Sequence, residues 1–291
     1  MPRGPPVRPR GVAACDVMSD ASFLRPSDVL CTPMRIDGPD GCFFTHTIDL
    51  PVLGTMPGQW DLRGGVDDCL GFVAVSGKRV LHLGGGSGFL SFEMEKRGAE
   101  VVCLDGSGSR SWDIVPFPRL DAGQMRRMLD QHLEAIRRAY WLSHAALGSR
   151  IRLARGTAYA VPDILGPADI VVLSSVLPSL RDPFRGLHAT ARLARETLII
   201  TEGAAPRRRW LQAIARPLGL SASFLPRADR PTGWNVWWRL SPATVQEMLA
   251  ILGFAESAVH THRQRYLGAS RPCYTIVARR TDPTNDDPET C

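Results

Sequence analysis

Three glycines and one aspartate have the spacing of a nucleoside site. Gly84, Gly86 and Gly88 make a G-x-G-x-G loop directly after the apolar run Val80–Leu83, and Asp105 ends a second apolar run, Val101–Leu104. Glycine is needed where a backbone turns sharply and touches a ligand closely. An acid about 20 residues on, at the tip of the second strand, suits a ribose diol. The dinucleotide fingerprint G-x-G-x-x-G would need its third glycine where Phe89 stands, so that pattern fails. The plain alternative is a strand-to-helix turn that happens to contain glycine. Two further residues have proton-handling chemistry. Glu202 follows the apolar run Thr197–Thr201, at the strand end where open α/β sheets place ligands. His46 stands between Thr45 and Thr47, as a general base or as a hydrogen-bonding residue of a cover.

These residues need elements to position them. Val80–Leu83, a helix from Phe89 to Gly98 and Val101–Leu104 form a βαβ unit. A helix over Gly123–Leu147 follows from apolar residues at three- and four-residue spacing, with His132 beside that stripe as packing. Ile151–Ala154, Ala168–Ser174 and Thr197–Thr201 read as further strands. Asp182 and Pro183 have the types for an N-cap and first turn of a helix running to about Arg195. Ser241-Pro242 opens another helix, to about Leu252. Ala255–His262 and Cys273–Arg279 read as a final antiparallel hairpin turning near Gly268. Asp67–Val75 reads as one helix leading into the core. Alternating apolar strands and helices predict a mostly parallel, doubly wound α/β sheet. The organisation expected is a disordered tail at 1–20, an irregular N-terminal cover or lid at 21–76, the main domain at 77–280 and a second tail at 281–291.

Composition narrows the class. A chain of 291 residues that is 44% hydrophobic can fold around a full core. Its apolar runs are all too short to span a bilayer, and MPRGPPVRPRG has no apolar stretch of a secretory signal. Seven scattered cysteines without C-x-x-C suggest neither zinc nor a disulfide framework. A reducing cytoplasm fits best, and no residue cluster predicts a metal. The net charge of +6 permits a polyanionic partner, but only Arg207–Arg209 forms a run, so nucleic acid is not the expected partner. A homodimer is compatible with the sequence.

The stretch VLHLGGGSGFLSFEMEKRGAEVVCLD resembles motifs I and II of class I S-adenosylmethionine (SAM) methyltransferases, and ADIVVLSSVLPSLRDP resembles their fourth strand and the loop after it. HTIDL, GQWDLRG, SWDIVP and SVLPSLRDP further resemble a bacterial subgroup related to the enzymes that alkylate the wobble uridine of tRNA. The resemblance covers most of 43–280. It implies a Rossmann-like seven-stranded sheet, methyl transfer and SAM as cofactor. It also implies that Gly84, Gly86 and Gly88, with Phe89 and Gly106 alongside, line the cofactor's methionine and ribose. Asp105 would take the ribose hydroxyls, Thr157 and Ala158 the adenine, and Ser174 and Ser175 the loop beside the methyl group. Two positions depart from the pattern. The acid usual before the first glycine is His82, either a ligand of the ammonium end or a satisfied core histidine. The histidine usual two residues before RDP is Ser179, which puts both the tRNA reaction and a base role at Ser179 in doubt.

The remaining candidates surround that core. Arg63 could pair with the SAM carboxylate, and Trp60 could cover the cofactor. Trp112, Trp234, Asn235, Trp237 and Trp238 could wall an acceptor cavity, or form an aromatic core under the last hairpin. His188 reads as packing or capping. The leading reading is a SAM-dependent methyltransferase with a small-molecule acceptor, of the kind found in secondary metabolism. An RNA-base alkylating enzyme and a SAM-binding protein that no longer methylates, such as a cyclase, remain as rivals.

Overall fold

The computed structural model describes residues 29–106, 108–118, 120–204, 222–230 and 233–282. The expected tail at 1–20, positions 283–291 of the second tail and Arg207–Arg209 lie outside the described residues.

A small hairpin, β1 (Ile48–Leu50) with β2 (Gly54–Met56), opens the described chain, followed by β3 (Trp60–Asp61) and the single turn α1 (Val66–Cys69). The repeating part then begins: β4 (Arg79–Leu83), α2 (Phe89–Lys96), β5 (Glu100–Asp105), α3 (Ala122–Ala146), β6 (Arg152–Arg155), β7 (Ala168–Ser174), α4 (Pro183–Ala191) and β8 (Ala194–Gly203). A short pair, β9 (Ala222–Phe224) with β10 (Trp238–Leu240), leads to α5 (Pro242–Ile251), β11 (Glu256–Tyr266) and β12 (Ala269–Arg279). The main sheet has the order β3-β11-β12-β8-β7-β4-β5-β6. β6, β5, β4, β7 and β8 run parallel, whereas β12 is antiparallel to both β8 and β11. The seven expected strands are all present, and the two-residue β3 adds an eighth at the outer edge.

Strand alternation divides the core in two. Leu81, Leu83, Val102 and Leu104 face one apolar layer with Leu187 of α4 and Val245 and Leu249 of α5. Val80, Val101 and Cys103 face the other, with Leu90, Phe92 and Met94 of α2 and Tyr140 and Trp141 of α3. The central strands read as continuous apolar runs because both faces are covered by helices.

The expected helix starts are in place. The Asp182 carboxylate accepts from the Arg185 N–H at 3.0 Å with Pro183 in the first turn, and Ser241 caps α5 through the Thr244 N–H. The hairpin β11–β12 turns on Leu267 and Gly268, both at positive φ (48° and 77°), which suits a two-residue connection. The helix expected over Asp67–Val75 stops after Cys69. Gly71 and Phe72 both take positive φ (57° and 61°), which an α-helix cannot continue through.

The N-terminal segment joins the sheet. The Trp60 N–H donates to the Thr45 carbonyl, the Thr47 N–H to the Trp60 carbonyl and the Leu267 N–H to the Gln59 carbonyl. Trp60 and Asp61 then pair with Tyr266 and Arg265. Residues 45–47 are thereby carried from the sheet edge across the glycine loop.

Candidate functional site

One cavity of about 350 Å³ opens along the C-terminal ends of β4, β5, β7 and β8. Three glycines of the loop, Gly84, Gly85 and Gly86, line it. Gly84 (φ 81°) lies against the end of β7, where an added Cβ would stand 2.1 Å from the Ser174 carbonyl oxygen. Gly86 (φ 52°) lies under the cover, with Thr45 Oγ1 2.4 Å from such a Cβ. Gly88 has a different task. It starts α2 in the left-handed region and packs against Phe92 and Tyr140. Gly88 and Phe89 do not line the cavity, and Phe89 is buried in the core behind it.

At one end the cavity meets Asp105, Gly106, Trp112, Thr157 and Ala158, so these five expected residues come together. Burial pushes the Asp105 carboxyl up, against the pull of Arg137, whose Nε and Nη2 each stand 3.3 Å from Asp105 Oδ2. Arg137 also holds Glu134 at 2.8 Å. Arg137 lines the cavity and was not legible in the sequence, because its partner Asp105 is 32 residues away.

In the middle, His82 is fully buried on β4. Its Nδ1 lies 2.7 Å from Ser91 Oγ and its Nε2 3.1 Å from Ser174 Oγ. Burial pushes its imidazole down to about 3, so the ring is neutral and does not add a positive charge. Both ring nitrogens have partners, and the residue belongs to the cavity lining. His46 is also neutral, with its imidazole lowered to about 4 by burial and its Nδ1 3.0 Å from Thr45 Oγ1. The cover is stitched to the loop here. Ser87 N–H donates to Thr45 Oγ1 at 2.8 Å, and Ser87 Oγ accepts from the N–H groups of Thr45 and His46 at 3.1 and 3.2 Å. This pairing, 42 residues apart, has no local sequence signal.

The other end lies over β7, β8 and β12 and is lined by Ser175, Ser179, Glu202, Gln264 and Trp60. Ser179 turns its hydroxyl onto the Val176 carbonyl at 2.7 Å. Glu202 is 2% exposed; its Oε1 accepts from the N–H groups of Val176 and Leu177, both at 3.1 Å, and its Oε2 is buried without a partner. Burial pushes this carboxyl up to about 8, although the two N–H groups favour the charged form.

Opposite signs of proton linkage follow. His46 and His82 stay neutral in the fold, so their stabilising contribution is complete above 6.5. It is lost as the pH falls toward about 4 and about 3. Glu202 is raised from 4.5 to about 8, so its contribution is complete below 4.5 and is lost as the pH rises through about 8. Between pH 6.5 and 8 the carboxyl alone should lower stability by roughly 1.5–2 kcal/mol. Chemical denaturation across that window should show a decline in the wild type and a nearly flat profile in Glu202→Gln. An equal decline in both would contradict the assignment.

Besides Gly88 and Phe89, five expected residues lie away from the cavity. Arg63 is engaged at the surface by Asp49 at 2.9 Å and Asp61 at 2.8 Å, so its charge is already paired and it does not line the cavity. Trp234 packs with Ile114, Leu129 and Leu133. Trp237 is buried with Val115 and Phe117, and its Nε1 donates to the Asp113 carbonyl at 2.8 Å. Trp238 packs at 5.4 Å on Phe224 and donates to the Arg181 carbonyl. Asn235 is in the turn before Trp237, also outside the lining. The tryptophans back the wall; its inner surface is Trp112, Asp113, Tyr159 and Leu180. Asp113 Oδ2 accepts from the Tyr159 hydroxyl and from the Arg181 N–H. Asp113 stands inside the quoted SWDIVP, but its partners at 159 and 181 become visible only in the fold.

No family model matches the sequence, and no curated protein is significantly similar to it. Solved structures are similar in fold. The N-terminal domain of EvdMO1, solved in the presence of SAH and D-fucose, is 17% identical over 82% of this chain and 91% of that one, with a TM-score of 0.50. Magnesium protoporphyrin IX methyltransferase (ChlM) from Synechocystis PCC 6803 with bound SAH is 17% identical over 75% of this chain and 81% of that one, with a TM-score of 0.45. At such identities the likeness concerns architecture: the chain has the Rossmann-like fold of class I methyltransferases.

Proposed function

We propose that the protein is a SAM-dependent methyltransferase acting on a small-molecule acceptor. The observation that carries this reading is one continuous cavity with two unlike ends. Gly84, Gly86, Asp105, Thr157 and Ala158 offer backbone, carboxylate and apolar contacts for a nucleoside, and beyond Ser174 and Ser175 a second end over β7 and β8 stays open to another molecule. A volume of about 350 Å³ is of small-molecule size and far below that of a folded RNA. SAM, when bound, supplies the electrophilic methyl group. The chain's own residues bind and orient, with Asp105 on the ribose, the glycine loop on the methionine end, and Thr45 and His46 excluding water from above. Positioning of this kind is worth several kcal/mol of barrier.

Label from methyl-labelled SAM should appear in a small molecule in an acceptor screen, and not in tRNA. Transfer to tRNA, with affinity falling steeply between low and moderate salt, would move the protein to the wobble-uridine-related group. Binding of SAM with no transfer to any class would favour a non-methylating role. Asp105→Ala should weaken SAM binding by about 1–3 kcal/mol, because the ribose hydroxyls lose a charged partner. Unchanged affinity by calorimetry would remove Asp105 from the site.

A further inference from the structure

We infer that the acceptor is an amine, and that Glu202 takes the proton from its nitrogen before the methyl group is transferred. The inference rests on the proposed methyl transfer and names its acceptor class. Glu202 Oε1 is saturated by the N–H groups of Val176 and Leu177, whereas Oε2 is buried, without a partner, and belongs to a residue lining the cavity. A buried polar atom left unsatisfied is costly, and a ligand that donates a hydrogen bond removes that cost. The position is close to the glycine loop. Val176, whose N–H holds Oε1, also abuts Gly84, where an added Cβ would stand 2.9 Å from Val176 Cγ2.

The surroundings select the charge of the ligand. The groups facing Glu202 from β12 are Tyr274, whose hydroxyl is given to the Leu240 carbonyl, and Cys273, whose thiol points to the Arg271 carbonyl. No charged side chain among the described residues shifts the Glu202 carboxyl; burial and the two N–H groups account for its state. His46 and His82 are neutral, and Arg137, the one arginine in the lining, is held by Asp105 and Glu134. The other carboxylates of the lining are Asp105 and Asp113. Such a lining offers no unpaired positive group to an anionic acceptor, and a carboxylate formed at Glu202 would pair with an ammonium.

An ammonium ion cannot attack, since its lone pair is occupied. Glu202 first gives its own proton to solvent; its carboxylate Oε2 then takes the N–H proton, and the pair becomes a neutral amine and a neutral carboxylic acid, the form a desolvated site favours. The freed nitrogen lone pair then forms the N–CH₃ bond as the S–CH₃ bond breaks. The sulfonium becomes a neutral thioether, and the positive charge passes to the methylated ammonium. A carboxyl near about 8 is well matched to an aliphatic ammonium, whereas an unactivated alcohol is far too weak an acid for it.

The test uses the full chain with SAM and a panel of primary alkyl- and arylalkylamines, together with the alcohols and phenols of the same carbon skeletons. The label is expected on amine nitrogen. Titration of an accepted amine into the SAH-saturated protein at pH 7, in buffers of different ionisation enthalpy, should release about one proton per amine bound, since both partners start protonated. Glu202→Gln keeps an oxygen for Val176 and Leu177. It should bind SAM as the wild type does, release no proton, and transfer label at least ~100-fold more slowly at pH 7. Part of that loss should return at a pH where the free amine predominates. Label on hydroxyl or carbon acceptors alone, no transfer to any amine, no proton release, or a Glu202→Gln profile like the wild type would each overturn the inference. Failure of the wild type to bind SAM would instead sink the methyltransferase reading on which it rests.

Discussion

Gly84→Ala is expected to lower SAM affinity by at least ~100-fold, and to do so through geometry rather than lost contacts. Gly84 adopts φ 81°, where a side chain costs about 1–3 kcal/mol. The added Cβ would also lie 2.1 Å from the carbonyl oxygen of Ser174, a main-chain atom at the end of β7. That oxygen cannot swing aside like a side-chain tip, because β7 is paired on both sides, to β4 and to β8. The loop and the strand must separate, and the cavity lies where they meet. Without ligand the loop relaxes away from the strand, so binding must restore the strained geometry; the two costs together exceed about 3 kcal/mol, which is more than a hundredfold in a binding constant. Gly77→Ala isolates the backbone term. Gly77 has φ 71° but nothing within 4 Å of an added Cβ. That variant should lose about 1 kcal/mol or somewhat more of stability and bind SAM normally. Equal SAM affinity in wild type and Gly84→Ala, measured on folded protein, would show that the loop does not touch the cofactor.

The second large effect is structural. Trp237→Ala should cost about 3–5 kcal/mol of stability. Trp237 is 8% exposed, fills the space between Val115 and Phe117, and gives its Nε1–H to the Asp113 carbonyl. It also lies under Arg181, whose guanidinium is 5.0 Å from the ring centroid. Loss of the ring frees the Asp113 segment, and with it the contacts Asp113 makes to Tyr159 and Arg181 in the cavity wall. Turnover should therefore fall further than stability alone explains, with SAM affinity nearly kept. Trp238→Ala should cost less, since that ring is only partly buried. Urea denaturation decides the first part; a cost under about 1 kcal/mol would mean that the ring is not a structural anchor.

The parts of this architecture that local spacing controls were legible in the sequence. The βαβ unit, the N-cap aspartate before Pro183, the Ser241-Pro242 helix start and the C-terminal hairpin each carry their signal within a few residues. In the cavity-facing set, Gly84 and Gly86 follow from loop spacing and Asp105 and Glu202 from the rule that ligands gather at the C-terminal ends of parallel strands, whereas Thr157, Ala158, Ser174 and Ser175 follow only from the resemblance to class I methyltransferases. What stayed hidden depends on distance. Of the two acids that hold Arg63, Asp61 is two residues away and within local reach, whereas Asp49, 14 residues away, gives no sign in the sequence of folding back to it. The tryptophan cluster looked like a wall because composition shows apolar surface without saying which side faces the cavity. The cover looked separate because a two-residue strand such as β3 has no period to detect. His82 showed only that an acid was absent; Ser91 and Ser174, which hold its two nitrogens, came from the fold.

The most direct test of the central claim is calorimetric titration of SAM into the wild-type protein alongside Gly84→Ala and Asp105→Ala. The expected result is one SAM bound per chain with a dissociation constant in or below the ~1 μM–1 mM range in which enzymes commonly operate. Affinity should be reduced in Asp105→Ala and lost in Gly84→Ala. No binding to the folded wild type at millimolar SAM, or equal binding by all three proteins, would contradict a cofactor site at the glycine loop.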